Sequence, residues 1–299
     1  MTWNLQSRGG ASVMRAIITG GGGQLATELV QSIPTGWSVS CLTRNDLDIT
    51  DTDTVAAAVD RLAPDLIINA AAHTAVDRAE SEADLAFAIN RDGAANLARC
   101  ATRRGVKLVH VSTDFVFDGH ASRPYLPGDT AGPLGVYGAS KHAGEIAVAQ
   151  YAPNALIVRT AWVYAAHGRN FLTTMLRLMG KEEEVRVVSD QIGTPTSAKT
   201  LARALWELAQ SPATGILHFT DAGVASWYDF AQAIAEESFA SGVLKTMPRV
   251  TPIKATDYPT PAPRPGFSVL DKSETWALLG KPPVHWRAAL REVLVPMSI

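Results

Sequence analysis

The sequence predicts an α/β protein with a doubly wound parallel sheet, followed by a smaller C-terminal α/β lobe that binds substrate. Two observations lead to this class. Short, continuously apolar runs alternate with longer helical patterns through the first half of the chain, and this alternation stops after residue 164. Continuous apolarity is typical of strands buried on both faces of a parallel sheet, and strand–helix alternation is typical of doubly wound domains.

Five short runs rich in Val, Ile and Leu predict the strands of the first domain. They occupy residues 15–19, 39–43, 65–70, 107–112 and 155–160. Helical patterns lie between them, at residues 23–33, 51–63, 81–104 and 138–151. We therefore expect a Rossmann-type domain over residues 14–164.

The remaining chain, residues 165–299, is predicted to form the smaller lobe. Its patterns indicate helices at 170–180, 197–210 and 226–240, with short strands at 185–188 and 216–219. A proline-rich stretch at 252–267 is read either as a linker or as a functional loop, because long loops in compact proteins are often functional. We expect this lobe to close over the first domain and parts of it to pack back on the sheet.

Composition excludes several classes of function. The chain has 299 residues, a net charge of −2 and 46% hydrophobic residues, which supports a large core and gives no basic footprint for nucleic acid. Cys41 and Cys100 form no disulfide framework or metal-ligand spacing. No apolar run reaches the roughly 20 residues of a membrane span. We expect a cytoplasmic protein without membrane or nucleic-acid partners, whose residues 1–13 form a polar N-terminal extension.

Four glycines, Gly20 to Gly23, follow the first predicted strand and precede a helix. Glycines at such a turn let the backbone approach a pyrophosphate, which then lies at the N-terminus of the helix. The spacing Gly20, Gly23 and Ala26 fits a dinucleotide-binding frame. The alternative is a flexible turn, but the position at the first strand–helix junction favours a nucleotide.

The acidic residue expected after the second strand, which would bind a ribose 2′-hydroxyl, is missing. Thr43 and Arg44 stand there instead, and an arginine favours a 2′-phosphate and thus NADPH, unless Arg44 is only a solvated charge. Further on, Asp48 and Ile49 are placed to contact an adenine. Small side chains after the third strand either leave room for a cofactor or only pack helix against sheet; they are Ala70, Ala71 and Ala72.

The end of the fourth strand and the following helix supply the candidate chemistry. Ser112, Thr113 and Asp114 end a strand, where ligands gather in open α/β sheets. Tyr137 and Lys141 are four residues apart and so share one helix face. A phenol beside an ammonium and a nicotinamide is a suitable proton donor to a ketone that receives a hydride. We expect Thr113 to polarise the ketone oxygen and Lys141 to bind the nicotinamide ribose.

These motifs resemble the extended short-chain dehydrogenase/reductase family. The longer strings narrow the resemblance to the dTDP-4-dehydrorhamnose reductase group; they are GGGGQLATEL, NAAAHTAVDRAESE, VSTDFVFDG, VYGASKHAGE, VRTAWVYAAHGRNF, DQIGTPTSA and YPTPAPRPGFSVLD. The similarity runs from about residue 14 to the end. It implies NADPH- or NADH-dependent reduction of the 4-keto group of dTDP-6-deoxy-L-lyxo-4-hexulose, giving dTDP-L-rhamnose.

The resemblance also implies roles for individual residues. The catalytic set would be Thr113, Tyr137 and Lys141, and Thr113, Asp114 and Trp162 would contact the sugar. The residues around the cofactor would include Gly23, Gln24, Leu25, Asp48, Ile49, Ala70, Ala71 and Ala72, which join Gly20, Gly22, Thr43, Arg44, Tyr137 and Lys141 from the motifs above.

Two substrate-side residues have alternative interpretations. Trp162 offers a flat face to the C–H surface of a deoxysugar, or it is a core aromatic at a strand end. Arg264 offers a guanidinium fork to the diphosphate of the substrate, or it is a solvated loop charge.

Some members of the family are described as dimers bridged by Mg²⁺ through glutamates. Glu28 matches one of those positions, but the matching position in TPTSAKT is Lys199, a cation that cannot be a metal ligand. We therefore do not expect Mg²⁺, and both a monomer and a homodimer remain open.

Two other functions remain open. One is a different nucleotide-sugar enzyme on the same scaffold, such as another 4-ketoreductase or an epimerase that retains its cofactor. The other is a non-catalytic nucleotide-binding subunit, like the regulatory subunit of methionine adenosyltransferase, which resembles this family. The presence of Thr113, Tyr137 and Lys141 together favours catalysis.

Overall fold

A six-stranded parallel sheet forms the centre of the computed structural model, which describes residues 13–297. Its strands are β1 (Met14–Thr19), β2 (Trp37–Leu42), β3 (Leu66–Asn69), β4 (Lys107–Thr113), β5 (Leu156–Thr160) and β10 (Gly215–His218). Their order is β2-β1-β3-β4-β5-β10, and every neighbouring pair is parallel. The predicted doubly wound parallel sheet is confirmed.

Helices cover both faces of this sheet. One face packs against α1 (Gln24–Gln31) and α8 (Ala198–Gln210). The other face packs against α2 (Thr52–Leu62), α5 (Ala94–Arg104) and α6 (Val136–Tyr151). Most side chains of the inner strands are therefore buried on one side or the other, which explains the continuous apolar runs in the sequence.

A short helix, α3 (Val76–Ala79), and then α4 (Ala83–Phe87) precede α5. A π-helical segment, Ala88–Gly93, joins α4 to α5, so the predicted helix 81–104 is one helical stretch with a widened turn. Such widened turns are frequently found at functional sites. The sequence pattern does not predict α3, because four residues are too few for a helical period to be visible.

The C-terminal part of the chain builds a separate apolar core. It contains α7 (Phe171–Met179), α9 (Trp227–Ala240), α11 (Trp286–Leu294) and the parallel pair β7 (Glu184–Val188) and β12 (Arg249–Ile253). Two-residue strands complete it, namely β6 (Val163–Tyr164) with β9 (Thr196–Ser197) and β8 (Ile192–Gly193) with β11 (Ala225–Ser226). The remaining helix, α10 (Ser273–Leu279), contacts α8 and β10.

Side-chain caps determine where several helices begin. Asp51 accepts hydrogen bonds from the backbone amides of Asp53 and Thr54 at the start of α2. Asn170 and Ser226 form capping boxes at the starts of α7 and α9. These caps satisfy amide groups that have no partner within the helix.

Residues on both sides of position 164 build the first core. Strand β10 extends the sheet beside β5, and Trp206 of α8 donates a hydrogen bond to the Leu29 carbonyl oxygen of α1. The division into two lobes at residue 164 stays a prediction, and the predicted extension 1–13 lies outside the described residues except for Val13. Within the described range, no helix is both long and apolar enough to cross a membrane.

Candidate active site

The glycine turn lies where the strand order reverses, between β1 and β3. Gly20 has φ +78°, and a Cβ atom there would lie 2.8 Å from the Ala70 carbonyl oxygen. Gly22 also has a positive φ, +84°, but an added Cβ would meet open space. The loop is therefore packed closely against β3 on one side and is accessible on the other, as a cradle for a pyrophosphate requires. Ligands of open α/β sheets bind at this reversal.

The other predicted cofactor residues surround this turn. Gly23 precedes α1 as its N-cap, Leu25 packs against the core, and Gln24 accepts a hydrogen bond from the Asn170 side chain at 2.7 Å. After β3, the Ala71 amide donates to Thr19 Oγ1 at 3.3 Å and to Asn69 Oδ1 at 3.2 Å. Ala70, Ala71 and Ala72 are half-buried beside the glycine turn. The structure thus brings the glycines and the alanines together.

The segment after β2 borders the same crevice. Gly21 donates its amide to the Leu42 carbonyl oxygen at 2.8 Å, which places Thr43 and Arg44 next to the turn. The Arg44 side chain is exposed. The Asp48 carboxylate accepts hydrogen bonds from Thr50, which lower its pKa, whereas the Ile49 side chain is buried in the core. Only the backbone of Ile49 is therefore free to face a ligand.

Thr113, Asp114, Tyr137 and Lys141 converge at the end of β4. Helix α6 carries Tyr137 and Lys141. It approaches the turn after β4 closely because Gly138 has no side chain: a Cβ there would lie 2.2 Å from the Phe115 carbonyl oxygen. The Thr113 hydroxyl donates to Asp114 Oδ1 at 3.0 Å and lies near enough to the Tyr137 phenol to influence its pKa. The spacing predicted from sequence therefore corresponds to a real cluster.

The Tyr137 phenol keeps its proton in this arrangement. Burial raises the pKa of Tyr137 to about 12, and the nearby Asp114 carboxylate adds to the shift while the Thr113 hydroxyl opposes it. The sequence predicts that the Lys141 ammonium lowers this pKa, but burial and Asp114 outweigh any such effect. A protonated phenol at neutral pH is a proton donor.

Lys141 is only 2% exposed, and its ammonium donates to the Val111 carbonyl oxygen at 2.7 Å. Burial lowers the pKa of Lys141 to about 8, and the Glu145 carboxylate one turn further along α6 opposes this shift. The ammonium therefore stays charged at neutral pH.

Asp114 is almost completely buried, at 1% exposure, and its Oδ2 atom has no hydrogen-bond partner within the described structure. Burial raises the pKa of Asp114 to about 6, whereas hydrogen bonds from Ser268 and Thr113 oppose the increase. A buried carboxylate oxygen without a partner is costly, so it is a natural acceptor for a ligand hydroxyl.

Sequence reasoning missed a buried polar group that supports α6. Asn90, in the π-helical segment, accepts the His73 amide at 2.8 Å and donates to Ser140 Oγ at 2.9 Å. It therefore connects the loop after β3 to the helix that carries Tyr137 and Lys141. The available signal was an asparagine placed directly after the apolar residues 85–89.

Trp162 has a left-handed backbone conformation, φ +48°, and stacks on Trp227 with ring centroids 3.5 Å apart. Its ring is half-buried at the edge of the C-terminal core. One face of the indole is thus supported by Trp227. The strain of a positive φ in a large residue is typical of functional positions.

Arg264 does not stand free in solvent. Its Nη2 atom donates to Asp77 Oδ2 at 2.9 Å, and its Nη1 atom donates to the Ala262 carbonyl oxygen at 2.8 Å. Asp77 belongs to α3, so this arginine connects the proline-rich stretch to that short helix.

The two positions considered for Mg²⁺ each have a charged or polar side-chain partner. Glu28 contacts His167 Nε2 at 2.9 Å, while the Lys199 ammonium lies 3.8 Å from the Glu292 carboxylate. Both pairs line a cavity of about 580 Å³ between α1, α8 and α11. The described residues contain no group of three or more His, Cys, Asp or Glu side chains arranged to hold a metal ion.

Comparison with known proteins gives a consistent result. Residues 14–299 match the RmlD substrate binding domain family. A dTDP-4-dehydrorhamnose reductase from Aggregatibacter actinomycetemcomitans is 41% identical over 287 residues, which cover 93% of this chain and 98% of the relative.

Two solved structures are also similar to this chain. The crystal structure of a dTDP-4-dehydrorhamnose reductase from Clostridium acetobutylicum has a TM-score of 0.90 at 38% identity, covering 96% of this chain and 100% of that one. The dTDP-4-dehydrorhamnose reductase of Bacillus anthracis, in complex with NADP, has a TM-score of 0.89 at 35% identity, covering 95% and 99% of the two chains.

Proposed function

Because this chain belongs to the RmlD substrate binding domain family, we propose that it is an NADPH-dependent reductase of dTDP-4-dehydrorhamnose. It would reduce the 4-keto group of dTDP-6-deoxy-L-lyxo-4-hexulose and release dTDP-L-rhamnose. The observation that carries the proposal is the convergence of Thr113, Tyr137 and Lys141 at the carboxyl end of β4.

Tyr137 is the proposed proton donor. Its phenol is protonated at neutral pH and lies near the Thr113 hydroxyl. That hydroxyl, which donates to Asp114 here, would turn to the carbonyl oxygen of a bound substrate. As negative charge develops on that oxygen, the phenol transfers its proton. The neighbouring ammonium of Lys141 favours the phenolate that remains.

The glycine turn and the alanines after β3 form a crevice that fits a dinucleotide. Gly20, Gly22 and Gly23 would hold its pyrophosphate, Lys141 its nicotinamide ribose, and Arg44 the 2′-phosphate. When bound, reduced nicotinamide supplies the hydride for the carbonyl carbon. Mg²⁺ has no part in this proposal, because Lys199 occupies a position where a ligand would be needed.

The sugar would lie between β4 and the C-terminal lobe. The partnerless Oδ2 atom of Asp114 supports a role as acceptor for a sugar hydroxyl. Trp162, backed by Trp227, supports packing against the C–H face of a deoxysugar.

A spectrophotometric assay tests the proposal. The 4-keto sugar is generated in a coupled reaction, NADPH or NADH is added, and absorbance loss is followed together with identification of the sugar product. We expect oxidation of the reduced cofactor that depends on the keto sugar, with dTDP-L-rhamnose as product. Cofactor binding without turnover would instead favour a regulatory subunit, and tightly bound NAD⁺ in the purified protein would favour an epimerase.

A cytoplasmic location and a monomeric or homodimeric state stay predictions from the sequence. Size-exclusion chromatography with light scattering would determine the oligomeric state.

A further inference from the structure

The short helix α3 and the residue that follows it contact two parts of the proposed active site. At one end, Asp77 Oδ2 accepts from Arg264 at 2.9 Å and Asp77 Oδ1 accepts from the Ala262 amide at 3.3 Å. Arg264 also donates to the Ala262 carbonyl oxygen, so a single carboxylate holds a compact turn of the proline-rich stretch.

That turn begins a segment, Ala262–Ser268, which we call the wall segment. Its Gly266 carbonyl oxygen accepts from the Ile192 amide at 2.9 Å, and its Ser268 amide donates to the Ile192 carbonyl oxygen at 2.8 Å. The Ser268 side chain lies near the Asp114 carboxylate and acts to lower its pKa. The wall segment therefore lies between Asp77 at one end and Asp114, the carboxylate assigned to the sugar, at the other.

At the other end of α3, the Glu80 carboxylate accepts a hydrogen bond from the Val136 amide at 2.8 Å. Val136 is the first residue of α6 and directly precedes Tyr137. The N-cap of α6, Gly135, has no side chain to satisfy this amide, so Glu80 does so from a different element.

Resting on the proposed function, we propose that Asp77 and Glu80 are positioning residues that hold the wall segment and the start of α6 on one short helix. Arg264 then acts through its ion pair with Asp77 and shapes the sugar cleft, instead of binding the diphosphate of the substrate. The guanidinium already uses both terminal nitrogens for Asp77, Ala262 and Thr260.

The Asp77–Arg264 ion pair is partly exposed, with side-chain exposures of 42% and 22%. The charge attraction in such an exposed pair contributes little to the stability of the fold. Here the two side chains also make three hydrogen bonds to residues 260–262. Arg264 donates to Thr260 Oγ1 and to the Ala262 carbonyl oxygen, and Asp77 accepts from the Ala262 amide. Loss of this clamp should therefore affect the local order of the wall segment more than global stability.

A double-mutant cycle separates the two roles of Arg264. Asp77→Asn, Arg264→Gln and the double variant are compared for KM of the keto sugar, kcat, and Kd of dTDP by calorimetry. We expect both single variants to raise KM by a similar factor, about tenfold, as for loss of one charge-assisted hydrogen bond. The double variant should be no worse than either, and dTDP binding should change less than twofold.

Direct diphosphate binding predicts a different pattern. Arg264→Gln would then weaken dTDP binding strongly while Asp77→Asn would leave it unchanged, and that result would overturn the proposal. Arg264→Lys should recover part of the KM effect, because a lysine still reaches the Asp77 carboxylate. The control is Arg104→Gln. It removes an exposed ion pair between Arg104 of α5 and Asp60 of α2, and it should change neither KM for the keto sugar nor Kd for dTDP.

Hydrogen exchange tests the clamp without any assay of activity. Peptides covering the wall segment should exchange faster in both Asp77→Asn and Arg264→Gln, and the start of α6 should exchange faster in Glu80→Ala. Unchanged exchange at these places would contradict the proposal, whatever the enzyme reduces. Absence of turnover in the unmodified protein would contradict the proposed function alone.

Discussion

Glu145 of α6 and Arg159 of β5 form a buried, two-pronged ion pair beneath the helix that carries Tyr137 and Lys141. Arg159 Nε and Nη2 donate to the two carboxylate oxygens of Glu145 at 2.8 and 2.7 Å. Their side chains are only 3% and 2% exposed. Each charge is satisfied by the other, so the pair ties α6 to the sheet at a defined place.

We predict that Arg159→Met will destabilise the protein strongly, because it leaves an uncompensated buried carboxylate. The expected loss is about 3–5 kcal/mol in the free energy of unfolding, measured by urea denaturation. Arg104→Gln, at the exposed pair with Asp60, should cost no more than about 1 kcal/mol. Equal losses in the two variants would contradict this account.

The Glu145–Arg159 pair also predicts that the folded protein becomes less stable in acid. Burial would raise the pKa of Glu145, but hydrogen bonds and charge from Arg159 outweigh it and lower the pKa to about 2. A carboxyl with a lowered pKa in the folded state stabilises the fold above its unfolded pKa of about 4.3. Unfolding measured from pH 6 to pH 2 should show stability falling in that range, and the double variant Glu145→Gln with Arg159→Met should lose part of this dependence.

Tyr137→Phe should remove the proton donor while leaving its ring in contact with Phe115. We expect kcat to fall by about 10²–10⁴-fold, the usual size of a general-acid contribution. NADPH affinity, measured by fluorescence titration, should change little. A nearly normal kcat would show that another group delivers the proton.

We expect the proposed reduction to slow at alkaline pH. Lys141 has a pKa of about 8 because it is buried, so its ammonium deprotonates as pH rises through that value. The neutral amine no longer favours phenolate, and kcat/KM should decline above about pH 8. A profile that stays flat to pH 10 would argue against the charged lysine.

Arg44 is exposed beside the glycine turn and is the candidate for the 2′-phosphate. Arg44→Ala should weaken NADPH binding by about tenfold, as for one charge-assisted hydrogen bond, and leave NADH binding unchanged. Arg61→Ala on α2 serves as a control for the general loss of one positive charge. An equal loss for both cofactors would assign Arg44 to another contact.

Trp162→Ala should raise KM for the keto sugar by roughly tenfold and leave NADPH binding unchanged. Trp162→Phe keeps an aromatic face and should be milder. If NADPH binding weakens more than sugar binding, then Trp162 belongs with the cofactor or the core.

The sequence alone determined the local elements and the placement of Tyr137 and Lys141 on one helix. The strands and main helices of the first domain were predictable because burial on both faces leaves continuous apolar runs. Tyr137 and Lys141 were predictable because helical spacing is a local property. The glycine turn was recognisable because its backbone conformation requires glycine.

Only the tertiary structure decided how distant segments complete the site. The Asp77–Arg264 pair, the support of α6 by Asn90 and Glu80, and the addition of β10 beside β5 all join residues far apart in the chain. Such contacts leave no periodic pattern in the sequence, because the partner of a polar side chain depends on how layers pack. Burial likewise decided that the pKa of Tyr137 rises, since desolvation depends on atoms contributed by the whole fold.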